Sequence, residues 1–121
     1  MGIGQVLERA APHFDFIASM VYPSHYAVGF NGFKKPAEHP YEVIKVSMDK
    51  AVERLKKIGQ DPQKLRPWIQ DFDLGATYGV PEIQAEKKAI YDAGLYSWMS
   101  WDPSNQYTRA AYAKPQDKPQ E

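Results

Sequence analysis

The sequence contains no cysteine in its 121 residues. A disulfide framework, a thiolate metal site and a cysteine nucleophile are therefore excluded. A chain without disulfides is compatible with either side of a membrane. The compartment therefore stays open, and a secreted or cell-envelope parent protein fits this composition.

The chain also lacks an excess of charge of either sign, because fifteen basic and fifteen acidic side chains give a formal net charge of +0. Nucleic acids and anionic membranes attract basic surfaces, so neither is expected as a partner. No stretch approaches the roughly 20 apolar residues of a membrane span. The first eleven residues carry Glu8 and Arg9 where a signal peptide would have an apolar core.

Signals for a metal or a cofactor are missing as well. The three histidines are scattered without ligand-like spacing, which does not support a zinc site. His13 and His39 lie beside prolines and are typical of loops. Residues 29–32 do not match a phosphate-binding glycine loop before a helix. No cofactor is therefore predicted.

The residues that are present indicate an ordinary globular protein, with 43% apolar and 25% charged residues. We predict one domain over residues 1–113. A flexible tail rich in Pro, Gln and Lys is predicted over residues 114–121. Aromatic residues are frequent, at 13%, and many lie next to polar residues at the ends of apolar runs.

Helical and strand patterns alternate along the chain. Apolar spacing of three and four predicts helices over residues 3–11, 44–58 and 80–93. Apolar or alternating runs predict three strands, at Phe16–Tyr22, Leu65–Phe72 and Leu95–Trp101. A long connection, residues 26–40, is rich in Gly, Pro and aromatics. This order predicts an α/β fold built from parallel βαβ units.

In parallel α/β folds, working residues cluster where strands end. The three predicted strands end in residues 22–26, 68–73 and 98–102, and each end mixes aromatic rings with hydrogen-bonding groups. Sugars are bound by this combination, because rings stack on their C–H faces and their hydroxyls need polar partners. The predicted sugar-binding residues are Tyr22, His25, Tyr26, Trp68, Gln70, Trp101 and Asn105.

Glycoside hydrolysis ordinarily uses two carboxyl groups across the scissile bond. Asp71, Asp73 and Asp102 are the acids at the strand ends, and Asp71 is the candidate catalytic residue. The alternative for each acid is a turn or helix-capping aspartate. Ser24 and His25 are neighbours, so an extended backbone points them to opposite sides and no serine–histidine pair is expected.

Trp101 ends the last predicted strand and is the best candidate for a stacking floor beneath a sugar. By alternation, Trp98 lies on the other face of the strand and is expected to pack beneath helices.

Four ordered motifs carry a resemblance to a known family: MVYPSHY, RPWIQDF, YGVPEIQAEKKAIYDAG and YSWMSWDPSNQYT. Together they resemble the C-terminal part of a bacterial family of glycoside-hydrolase-like (β/α) barrels, over residues 16–108. The resemblance implies that the three predicted strands are strands six to eight of a TIM-type barrel with three main helices. A full barrel needs about 250 residues. We therefore expect a partial barrel that self-associates or pairs with a missing N-terminal half.

The resulting prediction is a fragment of a glycoside hydrolase that acts on a polysaccharide or cell-envelope glycan, with carbohydrate as its partner and no activity by itself. The alternative is a non-catalytic carbohydrate-binding or structural module.

Overall fold

The computed structural model describes residues 6–112. Its α-helices are α1 (Leu7–Ala10), α2 (Pro40–Lys57) and α3 (Val80–Asp92), and its strands are β1 (Trp68–Gln70) and β2 (Met99–Trp101). Short 3-10 turns connect them. The predicted α/β class is confirmed as a mixed fold of three helices and a two-stranded parallel sheet. Residues 3–5 of the first predicted helix and the predicted tail lie outside the described residues.

The two strands form a parallel pair in which Trp68 is opposite Met99 and Gln70 is opposite Trp101. Pro67 comes directly before β1 and has no N–H to give to a ladder. Its carbonyl still accepts the N–H of Met99 at 2.9 Å. The regular pairing therefore begins at Trp68, three residues later than the predicted start at Leu65.

The first predicted strand, Phe16–Tyr22, is not a full strand in the structure. It runs parallel to β1 as an extended segment with two isolated bridges, Ile17 to Leu65 and Met20 to Trp68. The prediction of three strands is therefore corrected to two strands and one bridged segment. Beyond Trp68 the N–H of Gln70 donates to the Glu86 carboxylate at 2.8 Å and not to this segment.

Helix α2 begins at Pro40, four residues before the apolar pattern that predicted it at Ile44. Proline suits a first helical turn, since the N–H groups there have no partner within the helix. Ile44, Met48 and Leu55 are buried as their spacing predicts. Gly59 follows the helix in the left-handed region, at a φ of 73°, as expected for a C-terminal cap.

Helix α3 is capped at both ends by residues close to it in sequence. The Glu82 carboxylate accepts the N–H of Gly79 at 2.9 Å, which satisfies one of the free donors at the start. Gly94, at a φ of 88°, follows the helix, and the N–H of Leu95 then donates to the Ile90 carbonyl.

The hydrophobic core lies on one side of the sheet only. Leu65 and Ile69 are buried there with apolar residues of α2 and α3, including Ile44 and Ile90. In the part of the chain described, no helix has the length and apolar character to cross a membrane.

The opposite face of the sheet is not covered by the helices. Phe16, Met20 and Trp101 are 50%, 69% and 42% exposed. The Arg66 guanidinium lies 3.7 Å above the centre of the Phe16 ring. Cation–π stacking of this kind screens only part of an aromatic surface.

Candidate functional site

An open cleft of about 510 Å³ lies at the carboxyl ends of the two strands. It is lined by Tyr22, His25, Phe72, Asp73, Leu74, Trp101, Asp102, Pro103 and Ser104. A second hollow follows the outer surface of α2 from Asp49 to Lys57 and has no aromatic lining. The strand-end cleft is the better candidate, because ligand sites in parallel α/β folds form there and combine apolar walls with a few polar groups.

One wall of the cleft is a cluster of three rings. The Tyr22 ring meets the rings of His25 and Phe72 edge-on, with centroids 5.2 Å and 5.4 Å apart. Edge-to-face contacts at these separations hold rings in place. Tyr22 is buried, and this burial raises the pKa of its hydroxyl. His25 is exposed and can reach a ligand.

Trp101 forms part of the other side and lies on the bare face of the sheet. Trp68 is half-buried on the same face, and the two indole rings meet edge-on at 6.2 Å. The Trp68 ring thus packs against the Trp101 ring.

Trp98 lies apart from the cleft and packs against the core beside Tyr112. Its indole N–H donates to the Tyr91 hydroxyl at 2.9 Å. The Lys87 ammonium sits 5.1 Å from its ring centre.

Gln70 is fully buried, and both ends of its side-chain amide are bonded. Its Oε1 accepts the N–H of Ser24 at 3.1 Å, and its Nε2 donates to the Phe72 carbonyl at 2.9 Å. The amide therefore joins the two loops of the ring cluster. It is placed to hold the cleft together and not to contact a sugar hydroxyl.

Asp71 is 3% exposed and does not line the cleft. Its Oδ1 accepts the Thr108 hydroxyl at 2.7 Å. Its Oδ2 accepts the Thr108 N–H at 2.7 Å and the Tyr112 hydroxyl at 3.0 Å. The two oxygens thus bind the last part of the described chain through Thr108 and Tyr112. Asp71 therefore anchors residues 108–112 to the end of β1.

Two other carboxylates face the cleft. Asp102 accepts the Ser104 hydroxyl at 2.8 Å and the Gln106 N–H at 2.6 Å, and the Ser104 bond first of all holds its pKa below the usual range. Asp102 is therefore ionised at neutral pH. Asp73 is exposed, and its Oδ1 accepts the N–H of Tyr78 at 2.7 Å.

Besides Trp68 and Gln70, two further predicted sugar-binding residues, Tyr26 and Asn105, are not among the residues that line the cleft. The Tyr26 hydroxyl bonds Ser47 of α2 at 2.8 Å, and its ring packs on Phe30. Asn105 is an exposed turn residue at a φ of 59°, and its N–H donates to the Asp102 carbonyl at 3.0 Å. Asn tolerates this left-handed conformation better than most residues.

Glu86 is a buried acid that the sequence patterns did not single out. It is fully buried on α3, and this burial, with the charge of Asp71 adding to it, raises the pKa of its carboxyl well above the ordinary value. A signal was present, because Glu86 lies three residues after Ile83 and four before Ile90, on the buried face of the helix. Within residues 6–112, Glu86 Oε2 and Ser24 Oγ are buried atoms without a hydrogen-bond partner.

Among the described residues, no group of three or more His, Asp or Glu side chains is arranged to hold a metal ion.

A family model described as a putative glycosyl hydrolase domain matches residues 1–107 of the chain. The chain belongs to this family. The predicted resemblance to a glycoside-hydrolase-like family is thereby confirmed. No curated protein and no solved structure matches the chain.

Proposed function

We propose that the chain forms three consecutive units of a (β/α) barrel and contributes one wall of the sugar cleft of a glycoside hydrolase. The observation that carries this proposal is the cleft itself, in which exposed rings and carboxylates meet at the carboxyl ends of parallel strands. Barrel enzymes build their active sites at this end.

The arrangement of the strands supports a barrel. The segment 16–22, β1 and β2 lie side by side in chain order, all parallel. Helices cover one face, and the other face carries Phe16, Met20 and Trp101 in the open. In a barrel that second face points inward and is covered by side chains of the remaining strands. We propose that these strands come from a missing N-terminal half or from another copy.

Hydrolysis needs two carboxyl groups on opposite sides of the scissile bond. Asp73 and Asp102 line the cleft, Asp73 exposed and Asp102 4% exposed. The catalytic role predicted for Asp71 requires that residues 108–112 release its oxygens. We propose that Asp102 supplies one carboxylate and that a strand outside this segment supplies the other, so the chain alone lacks activity.

A second candidate function is carbohydrate binding without catalysis. The hydrogen bonds of the three strand-end acids favour this candidate. Asp71, Asp73 and Asp102 all accept hydrogen bonds from other groups of the protein, as structural carboxylates do. Asp102→Asn in the complete parent protein separates the candidates. Loss of turnover with retained sugar binding supports the hydrolase, and a wild-type parent that binds glycans without cleaving them supports the binding module.

Paired tryptophan variants test the cleft. Trp101→Ala should weaken binding of a polysaccharide ligand about 2- to 10-fold, equivalent to the ~0.5–1.5 kcal/mol of an aromatic stacking contact, and leave the melting temperature nearly unchanged. Trp98→Ala should spare binding and lower the unfolding free energy by about 2–3 kcal/mol, less than for a fully buried aromatic. Glycan-array binding, sugar titrations and thermal melts measure both effects. The proposal fails if Trp101→Ala unfolds the protein while Trp98→Ala alone abolishes binding.

A further inference from the structure

The backbone N–H groups of Arg66 and Trp68 donate to the segment 16–22 in a regular register that ends at the cleft. The N–H of Arg66 donates to Ile17 at 2.8 Å, and the N–H of Trp68 donates to Ser19 at 2.8 Å. Two residues further along each segment, the N–H of Gln70 would be expected to donate to Val21.

The structure departs from this register at that step. The N–H of Gln70 donates instead to Glu86 Oε1 at 2.8 Å. A side chain of α3 thus takes the place of the neighbouring backbone acceptor. The two segments are free to separate after Val21, and Pro23–His25 forms a turn that leads into the cleft wall.

Gln70 stays paired with Trp101 of β2, and its side chain joins the two separated loops. The Gln70 side chain bonds the Ser24 N–H on one loop and the Phe72 carbonyl on the other. The rings of Tyr22, His25 and Phe72 stand on these loops, so their spacing depends on where Gln70 is held.

We propose that Glu86 is the positioning residue of the cleft, which ends the strand pairing at Gln70 and thereby fixes the two loops that carry the ring wall. This inference deepens the proposed function and depends on it for the sugar. Glu86 itself touches no ligand and acts through Gln70.

The surroundings of Glu86 favour its neutral form. The titratable groups near it are Asp71 at the end of β1 and three tyrosines, Tyr22, Tyr78 and Tyr112. Lys87, the next residue on α3, is also buried, and its ammonium donates to the Ala111 carbonyl at 2.9 Å. Burial raises the pKa of Glu86, and the protonated acid still offers Oε1 as an acceptor to Gln70.

The first experiment measures amide hydrogen exchange by NMR, which needs no sugar. Glu86→Leu keeps the apolar volume and removes the acceptor. We expect the Ser24 amide to exchange about tenfold faster or more, relative to the amide of Met48 in α2. Glu86→Gln keeps an acceptor oxygen and should leave Ser24 protected. Gln70→Leu should repeat the Glu86→Leu effect at Ser24, and Glu53→Gln, at an exposed position of α2, is the matched control.

A second measurement covers the case in which Glu86→Leu fails to fold. Because the folded pKa of Glu86 is raised, the wild-type protein should lose stability as the pH rises above about 4.5, where the unfolded chain ionises. Glu86→Gln should lack this part of the decline, and Glu53→Gln should keep it. If the stability of the wild type and of Glu86→Gln falls in parallel as the pH rises, the claim that Glu86 is protonated in the folded protein is wrong.

The positioning role is overturned if Glu86→Leu folds and leaves Ser24 exchange within about twofold of wild type. These outcomes are distinct from a failure of the proposed function. If the wild-type cleft binds no polysaccharide while Ser24 responds as expected, the sugar assignment fails and the role of Glu86 stands.

Discussion

At the scale of single residues, the Asp71 carboxylate depends on donors far along the chain. Thr108 and Tyr112 lie 37 and 41 positions away, yet they supply all three of its described bonds. These three donors satisfy both oxygens of a buried side chain. Without them the Asp71 oxygens would be buried polar atoms without partners, which is costly.

Asp71→Asn should therefore destabilise the protein by about 1–3 kcal/mol, because the amide presents its own N–H groups to one of the Thr108 or Tyr112 donors. Thr108→Val removes one hydroxyl bond and should cost about 1 kcal/mol. Urea unfolding measures both variants. If Asp71 only anchors residues 108–112, Asp71→Asn in the complete parent protein should lower turnover no more than its loss of folded protein explains. Loss of turnover in Asp71→Asn at unchanged stability would instead support the predicted catalytic role of Asp71.

The sequence could place Asp71 at a strand end but could not show what its oxygens bind. Its partners come from a part of the chain with no pattern that points back to it. Gln70 illustrates the same limit, because alternation predicts its direction and not the Ser24 amide that it meets. Trp101 was easier to predict, since exposure at a strand end follows from position alone.

At the scale of elements, a bidentate ion pair joins α1 to α2. Arg54 Nε donates to Glu8 Oε2 and Arg54 Nη2 to Glu8 Oε1, both at 2.6 Å. These bonds lower the pKa of Glu8 to about 2. Fork-shaped pairing of this type fixes orientation as well as distance.

The pair predicts a pH dependence with a definite sign. The folded pKa of Glu8 is below its unfolded value of 4.5, so the stabilisation is present above pH 4.5 and is lost as the pH falls toward 2. Glu8→Gln should melt at a lower temperature than wild type at pH 6, and the difference should shrink at lower pH. Thermal melts between pH 6 and 2 measure this. A constant difference across the range would contradict it, and Glu53→Gln serves as the exposed control.

Helices were the elements best predicted from sequence, for a local reason. The buried faces of α2 and α3 recur every three or four residues, and Gly59 and Gly94 end both helices. The first predicted strand was overestimated because an apolar run does not show how many of its backbone groups pair with a neighbour, and here only two isolated bridges form. Glu86 itself was missed because the run Glu86-Lys87-Lys88 has the composition of a solvated helix face.

At the scale of the whole molecule, the bare sheet face is the main unpartnered surface described. Exposed contiguous apolar patches commonly mark interfaces. We expect the 121-residue chain to self-associate as its concentration rises. Sedimentation equilibrium measures this association. Met20→Lys places a charge at the centre of this face and should shift the chain toward monomer.

Val28→Lys is the matched control, since Val28 is 81% exposed in the loop between residues 26 and 40. It should leave association unchanged. A wild-type chain that is monomeric at every concentration, with a folded spectrum, would contradict self-association through this face.

The anchor at Asp71 also decides where this domain can be cut. The family match ends at residue 107, one position before Thr108. A truncation there keeps every matched position but removes the Thr108 and Tyr112 donors of a buried carboxylate. The shortest fragment that keeps this strand end intact therefore runs through Tyr112, and a boundary chosen from the family alone would cut through the structure.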